Sequence, residues 1–204
     1  MQITPESQGQ GDEEVKALPI EIDGTLTGFE IVFYDKPNLK EFIMPMPCYL
    51  IVEGEKQGKI EGSVKVKNHE GKILVQAVDH VIEIPKSPQT GLPTGKRVHQ
   101  PMTLTKEIDK ASPKLFQALT SGEQLKSVSL EFYRISPKGT EEKYYTVKLS
   151  SAILTSARSW TPNCLNPDNK QMGHMEDISF TYEKITWTFE PDGIEAEDSW
   201  LAPK

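Results

Sequence analysis

Residues 177–189, DISFTYEKITWTF, alternate apolar and polar side chains with the two-residue period of a β-strand that has one buried face. The apolar positions are Ile178, Phe180 and Tyr182, followed by Ile185, Trp187 and Phe189. One extra residue at Glu183-Lys184 separates the two sets, so a straight strand would point them to opposite faces. A β-bulge or a bend at that position restores one buried face, and barrels use such bends at their corners.

From Pro45 onward almost every other segment also has a β pattern. The predicted strands are CYLIVEG (48–54), SVKVK (63–67), KILVQAVDHVIEI (72–84), MTLTKEI (102–108), SVSLEFYRI (127–135) and YYTVKLSSAIL (144–154). Segment 72–84 is long enough to bend or to change sheets midway. Seven or eight strands with a single helix predict a mainly β fold, a closed or nearly closed antiparallel β-barrel.

The single predicted helix lies in ASPKLFQALTSG, residues 111–122. Ser112 is a suitable N-cap, Pro113 suits the first helical position, and Gly122 can end the helix in a left-handed conformation. The side chains of Leu115, Phe116 and Leu119 share one face, which is expected to pack on the sheets.

The N-terminal 43 residues differ in composition from the rest. They carry three lysines and nine acidic residues, a charge of −6 out of the total of −7, so residues 44–204 carry only −1. Residues 1–14 are polar and are predicted to be disordered. Leu18–Ile22 and Phe29–Phe33 are two short apolar runs typical of a hairpin. The chain is therefore interpreted as an extension, 1–43, followed by one β domain, 44–204.

Membrane insertion and nucleic-acid binding are not expected. No apolar run approaches the ~20 residues of a membrane span. The start MQITPESQGQGDEEV is polar and acidic, whereas a cleavable export signal is basic and then apolar. No basic stripe suited to nucleic acid is present. The sequence predicts a protein that folds in the cytoplasm and, if it is exported, uses no cleavable signal.

The stretch GLPTGKR, residues 91–97, superficially resembles a phosphate-binding loop. That motif needs four residues between its glycines, a Ser or Thr after the lysine, and a helix directly afterwards. Here three residues separate Gly91 from Gly95, Arg97 follows Lys96, and a strand is predicted next. Nucleotide binding is therefore not expected.

No catalytic, metal or cofactor site is predicted. The histidines, His69, His80, His99 and His174, have no partner at a metal-ligand spacing and are interpreted as surface or hydrogen-bonded residues. No serine lies in a nucleophile-elbow motif. The pair Glu176-Asp177 is interpreted as solvated turn residues. Cys48 and Cys164 are expected to be small buried residues, with a single disulfide left open, and burial should raise the pKa of Cys48.

The 17-residue segment PKSPQTGLPTGKRVHQP, Pro85–Pro101, is longer than most loops without a function; we call it the arm. Its four prolines reduce the entropy lost on ordering. A semi-rigid arm suits contact with a neighbouring molecule, while a mobile surface loop is the alternative. The candidate contact residues are Pro85, Pro88, Gln89, Thr90, Gly91, Pro93, Gly95, Lys96, Arg97, Val98 and His99. Trp200, in the closing DSW, is predicted to anchor the C-terminal tail to the barrel.

Several of these segments together resemble the Hcp family, the tube protein of bacterial type VI secretion systems. The resemblance rests on MPCYLIVEGEKQGKIEGSV, on VDHVIEIPKSPQTGLPTGKRVHQPMTLTKEIDKASPKLFQALTSGE, and on FYR, TYEKITWTF and DSWLAP, in the family's order from about Met46 to Lys204. Members usually begin near Met44 or Met46. For residues 1–43 a start assigned too far upstream, an engineered fusion, a cargo peptide and an extra subunit-contact hairpin all stay open.

The resemblance implies a β-barrel of two sheets with one flanking helix, which forms homohexameric rings that stack into a hollow tube. It implies a contractile sheath around the tube, a VgrG spike at its tip, small effectors in the lumen, and export without a signal peptide. The family's loop that contacts neighbouring subunits and stacked rings corresponds to the arm. The alternatives are a phage-type tail-tube protein, and a ligand-binding barrel or small hydrolase.

Overall fold

A computed structural model describes residues 14–22, 25–34, 46, 48–170 and 172–200. The chain divides into two compact units, Met1–Met44 and Pro45–Lys204. In the first unit, strand β1 (Glu14–Ile22) pairs antiparallel with β2 (Thr25–Tyr34), and their register shifts between Ile20 and Glu21. Residues 1–13, most of the segment predicted to be disordered, lie outside the described residues.

The described residues of the second unit form twelve strands, one α-helix and one turn of 3₁₀ helix at 167–169. In chain order its elements are β3 (Cys48–Gly54), β4 (Gly58–Ile60), β5 (Ile73–Val75), β6 (Ala77–Asp79), β7 (Ile82–Glu83), β8 (Val98–His99), β9 (Met102–Glu107), α1 (Ser112–Ser121), β10 (Gln124–Ile135), β11 (Glu141–Trp160), β12 (Met175–Thr181), β13 (Lys184–Phe189) and β14 (Ile194–Ser199). The prediction of a mainly β fold with one short helix is confirmed.

Ten of these strands form one antiparallel sheet. Its main path runs β4-β3-β10-β11-β12-β9-β6, with β5 on β3, β13 on β11 and β14 on β13. The run that contains β5 and β6 changes partner at Gln76, since β5 pairs with β3 and β6 pairs with β9. Both strands belong to the same sheet, so segment 72–84 changes strand partner there without changing sheets at that point. Among the described residues the ladders do not close into an unbroken ring, so the closed barrel is not observed.

The bend predicted within residues 177–189 is present. The segment forms two strands, β12 and β13, and both pair with the 20-residue strand β11. Strand β11 bends at the same level, where Ser151 has a left-handed φ of 51° and the Glu183 amide donates to the Ser150 carbonyl at 3.2 Å. Because both strands bend together, the two halves of the segment bury their apolar faces in one core.

The core contains side chains from both halves of this segment and from α1. Phe180 and Ile185 are fully buried, Trp187 packs partly against the core, and Leu115 is buried under the helix. Gly122 ends α1 at φ 63°, as predicted. Phe116 and Leu119 are only half-buried, whereas Ala118 is buried, so the buried face of the helix is centred slightly away from the predicted stripe.

Two local predictions are wrong. SVKVK (63–67) is not a strand: its backbone closes a loop in which the Gly71 amide donates to the Val64 carbonyl at 2.9 Å, and Val66 is exposed, so the alternation buries no face. Ser112 is not the N-cap, because Ala111 occupies that position. The Ser112 hydroxyl instead donates to the buried carboxylate of Glu176 at 2.8 Å.

Three residue predictions can be compared with the structure directly. Cys164 is exposed, contrary to the expectation, while Cys48 is buried, and both are free thiols. Glu176 is fully buried within β12, so its interpretation as a solvated turn residue is wrong. The Glu176 carboxylate is paired with the Lys106 ammonium. The two residues are 70 positions apart, so the sequence alone does not show that they pair.

Candidate functional site

The arm is an ordered hairpin, not a loop without secondary structure. At its base β7 pairs with β8, and further out Lys86 forms a bridge with Pro93. The Thr94 amide donates to the Pro85 carbonyl at 2.8 Å, and the Gly91 amide donates to the Ser87 carbonyl at 2.9 Å. Gly91 has a φ of 70°, a conformation that favours glycine. The arm therefore has a defined shape of its own.

Apolar side chains on and beside the arm face solvent in this chain. Leu92 near the tip is 65% exposed, and Val81, Ile82 and Ile84 are also exposed. Large apolar side chains left exposed close together in a folded chain can mark a site of contact with another protein. Leu92 on the outer arm, and the three residues that precede the arm, are thus available to be buried against a partner.

The base of the arm is tied to strand β14 by a paired ion contact. The Arg97 guanidinium donates through Nη2 to Asp198 Oδ1 at 2.6 Å, and through Nε to Asp198 Oδ2. Nη2 also donates to the Ser199 carbonyl at 2.6 Å. The two charged side chains are 14% and 10% exposed, so this two-point contact is largely shielded from water.

Two imidazoles and a phenol continue this network into the body. His99 Nε2 lies 3.0 Å from Asp198 Oδ2, and His99 Nδ1 lies 2.7 Å from the Tyr182 hydroxyl. The same hydroxyl lies 2.7 Å from His80 Nε2. If His99 donates through Nε2 to Asp198, its Nδ1 accepts from Tyr182, whose oxygen in turn accepts from His80. In this arrangement both ring nitrogens of His99 have a partner.

The environment shifts the pKa of two members of the network. Burial raises the pKa of the Tyr182 hydroxyl, and the Asp198 charge raises it further, so the phenol stays protonated. Burial lowers the pKa of His80, electrostatic interaction with His99 lowers it further, and the Asp79 charge opposes both effects. Both shifts favour neutral side chains at the base of the arm.

The predicted contact residues divide into two groups. The exposed group forms the outer arm: Pro85, Pro88, Gln89, Thr90, Gly91, Pro93, Gly95 and Lys96. Arg97 and Val98 are partly buried and His99 is buried, so Arg97 and His99 serve contacts within the subunit. Trp200 is 48% exposed; its ring centroid lies 5.4 Å from that of His99, and its amide donates to the Glu183 carbonyl at 3.0 Å.

Nothing in the sequence singled out Asp198, and Tyr182 was expected only as an apolar strand residue. His80 was expected to be a surface or hydrogen-bonded residue, and it does contact the Tyr182 hydroxyl. Asp198 lies in IEAEDS, a run with several acidic residues in which nothing marks it as special. It is about 100 residues from its partners in the chain, with a separation of 101 from Arg97 and 99 from His99. Tyr182 does carry a signal, because it is the last apolar residue before the predicted bend.

In the described part of the chain, metal-binding clusters and membrane-spanning helices are both absent. Within those residues no group of three or more His, Cys, Asp or Glu side chains could hold a metal ion. No helix there is long and apolar enough to cross a membrane. An open groove of about 370 Å³ is lined by apolar and polar side chains, among them Tyr49, Val66, Leu74, Gln76 and Ile108.

The chain matches one protein-family model over most of its body. The model describes "Type VI secretion system effector, Hcp" and matches residues 49–189. The matched range includes the arm, the bend in β11 and most of the network at the base of the arm, and it ends before β14.

Individual relatives agree with this match. The chain is 44% identical over 169 residues to the "Major exported protein" of Pseudomonas aeruginosa strain PAO1, covering 78% of this chain and 98% of that protein. A solved structure of an Hcp protein superposes with a TM-score of 0.73 at 30% identity and covers 78% of this chain and all of its own. A solved structure of a doubly mutated Hcp1 from the Escherichia coli EAEC 042 pathovar superposes with a TM-score of 0.69 at 36% identity. The match covers 77% of this chain and 100% of the Hcp1 chain.

Proposed function

The chain belongs to the Hcp family of type VI secretion systems, and from this premise we propose that it is a structural subunit of the system's inner tube. Six copies close into a ring, and rings stack into a hollow tube. The tube lies inside a contractile sheath, is ejected together with a VgrG spike, and carries small effectors in its lumen. The protein needs no cofactor and performs no catalysis.

The observation that supports this proposal most directly is the ordered arm. Its outer part exposes the apolar side chain of Leu92, while its base is held by the largely buried contact of Arg97 with Asp198. A contact in which the arm of each subunit lies on a different surface of the next one repeats around an axis, and it gives a ring when the rotation between neighbours closes. A stable interface of this kind buries upwards of ~1,000 Å² in total. Leu92, Ile84 and Val81 supply apolar area for it, since they find no cover within their own body.

The route of export follows from the same family membership. The relative in P. aeruginosa is named as an exported protein, which supports release of this chain from the cell that makes it. We propose that it folds in the cytoplasm and leaves as part of the tube, without a cleavable signal and without inserting into a membrane. In this interpretation residues 44–204 form the tube body, and residues 1–43 are an extension carried by each subunit.

The test compares two exposed leucines. Leu92→Asp places a charge on the outer arm, whereas Leu165→Asp places one on the loop before the 3₁₀ turn, where Leu165 is 87% exposed against 65% for Leu92. Neither change touches the core, so both variants should fold with circular dichroism spectra like the wild type. Native mass spectrometry and electron microscopy should show hexameric rings for the wild type and for Leu165→Asp, and far fewer for Leu92→Asp. A wild-type chain that stays monomeric at high concentration, or equal ring formation by both variants, would contradict the proposal.

A further inference from the structure

The arm has little backbone attachment to the rest of the molecule. Its base ladder, β7 with β8, has only two residues in each strand. An isolated two-stranded hairpin is at best marginally stable in water. The direction in which the arm points must therefore depend on side-chain contacts at its base.

Those contacts converge on the end of strand β14. This strand is exposed from Ile194 to Glu197, and only Asp198 and Ser199 are partly buried. All three hydrogen bonds that the Arg97 guanidinium makes among the described residues end on these two positions. His99, in the other half of the base, also contacts Asp198. One carboxylate thus joins both Arg97 and His99 of the arm to the C-terminal strand.

We propose that Asp198 is a positioning residue: it fixes the direction of the arm, and through the arm it sets the geometry in which one subunit meets the next. The first part of this inference stands on the contacts within one chain. The second part rests on the proposed function of the arm as the subunit contact. The C-terminal strand, which lies outside the segment matched by the family model, then acts in assembly through the arm.

Replacing Asp198 leaves the Arg97 guanidinium in a shielded place without its carboxylate, and leaves His99 without its acceptor. A charged hydrogen bond is stronger than a neutral one, so Asp198→Asn weakens the base even though the amide keeps the shape of the side chain. Strands β10 and β11 lie elsewhere in the sheet and make none of the contacts of Asp198 described above. Loss of Asp198 should therefore loosen the arm and leave the body folded.

Hydrogen exchange of the full-length chain, at a dilution where native mass spectrometry shows single subunits, tests the positioning step alone. The amides of Gly91, Thr94 and Gln100 report on the arm and its base, because each donates a backbone hydrogen bond there. In Asp198→Asn their exchange should be at least about tenfold faster than in the wild type, while the amides of β10 and β11 keep their rates. Glu195→Gln is the matched control, since Glu195 lies exposed on the same strand and should leave all rates unchanged.

A double-variant comparison separates positioning from general loss of stability. In an Arg97→Gln background, Asp198→Asn should accelerate arm exchange much less than it does in the wild type, because the pair is already broken. If Asp198→Asn fails to fold, Arg97→Gln alone tests the same contact from the other side. Arm exchange that is equal in Asp198→Asn and Glu195→Gln would overturn the inference.

Ring formation by the same variants is measured separately by electron microscopy. A loosened arm together with fewer rings supports the whole inference, and a loosened arm with normal rings overturns its second part. If the wild type forms no rings, the proposed function fails, but the exchange comparison still decides whether Asp198 positions the arm.

Discussion

The Lys106 ammonium lies 2.7 Å from the Glu176 carboxylate, and both side chains are fully buried between the sheet and the start of α1. Lys106 also donates to Asp109 Oδ1 at 2.9 Å and to the Glu107 carbonyl at 2.6 Å. The Ser112 hydroxyl donates to the same Glu176 oxygen. This buried pair fixes the N-terminal end of the helix on the sheet.

Lys106→Met should lower the free energy of unfolding by about 3–5 kcal/mol, because it leaves the Glu176 carboxylate buried without its cation. Removing the second charge as well, in Lys106→Met with Glu176→Leu, should recover most of that loss, since two apolar side chains can pack where the ion pair was. Urea unfolding followed by circular dichroism measures both values. A double variant that is no more stable than Lys106→Met would show that the pair is not the source of the loss.

The two cysteines should differ sharply in reactivity. Burial raises the pKa of the Cys48 thiol to about 12, and the Glu131 charge adds to this, so almost no thiolate forms at pH 8. Cys164 is exposed. Ellman's reagent should therefore modify one thiol per native chain rapidly and the second only after denaturation. Cys164→Ser should abolish the rapid phase and Cys48→Ser should preserve it; a rapid reaction of Cys48 in the native protein would contradict its burial.

His80 should make stability fall with mild acidification. Burial lowers its pKa in the folded state below the ordinary 6.5, so the unfolded chain binds a proton that the folded chain does not. The contribution of neutral His80 to the free energy of unfolding is therefore fully present above the pKa of the unfolded chain. It is lost as the pH falls from that value towards the lower pKa of the folded chain. The pKa values of the Glu131 and Glu190 carboxylates are also lowered, but these groups change stability only below about their ordinary pKa of 4.5. The pH range in which His80 acts therefore lies above the range in which these carboxylates act.

His80→Gln removes the titrating group but keeps a side-chain donor for the Tyr182 hydroxyl. Its free energy of unfolding, measured in urea at pH 7.5 and again at pH 5.5, should fall less between the two values than that of the wild type. The His174→Gln variant is the control, because His174 is exposed and should reproduce the wild-type fall. Equal falls for His80→Gln and the wild type would remove His80 as the cause.

The sequence predicts those strands in which apolar and polar side chains alternate along a short segment. The inverted alternation within 177–189 predicts a bend because one misplaced residue exposes half of an apolar face, and the structure has that bend. The same period fails at 63–67, where the backbone hydrogen bonds stay within a loop and Val66 remains exposed. Strand β14 was missed because its alternation is almost entirely polar. An alternating sequence therefore identifies a strand only where one face of that strand is buried and apolar.

The base of the arm could not be predicted for a different reason. Arg97 and His99 were singled out, but their partner Asp198 is separated from them by nearly the whole second half of the chain. An ion pair of this kind depends on the base of the arm and the end of β14 reaching the same place, which no spacing in the sequence encodes. The buried pair of Lys106 and Glu176 was missed for the same reason.

Trp200 remains the predicted anchor of the C-terminal tail, and its role can be separated from that of Asp198. About half of its surface is covered, with the ring beside His99, so Trp200→Ala should lower the free energy of unfolding by roughly 1–2 kcal/mol. The backbone bond from its amide to Glu183 survives the substitution. Ile194→Ala, at the exposed start of the same strand, should stay within about 0.5 kcal/mol of the wild type. If Trp200→Ala costs no more than Ile194→Ala, the end of β14 is fixed by the carboxylate of Asp198 and not by the indole, and the tail needs no apolar anchor.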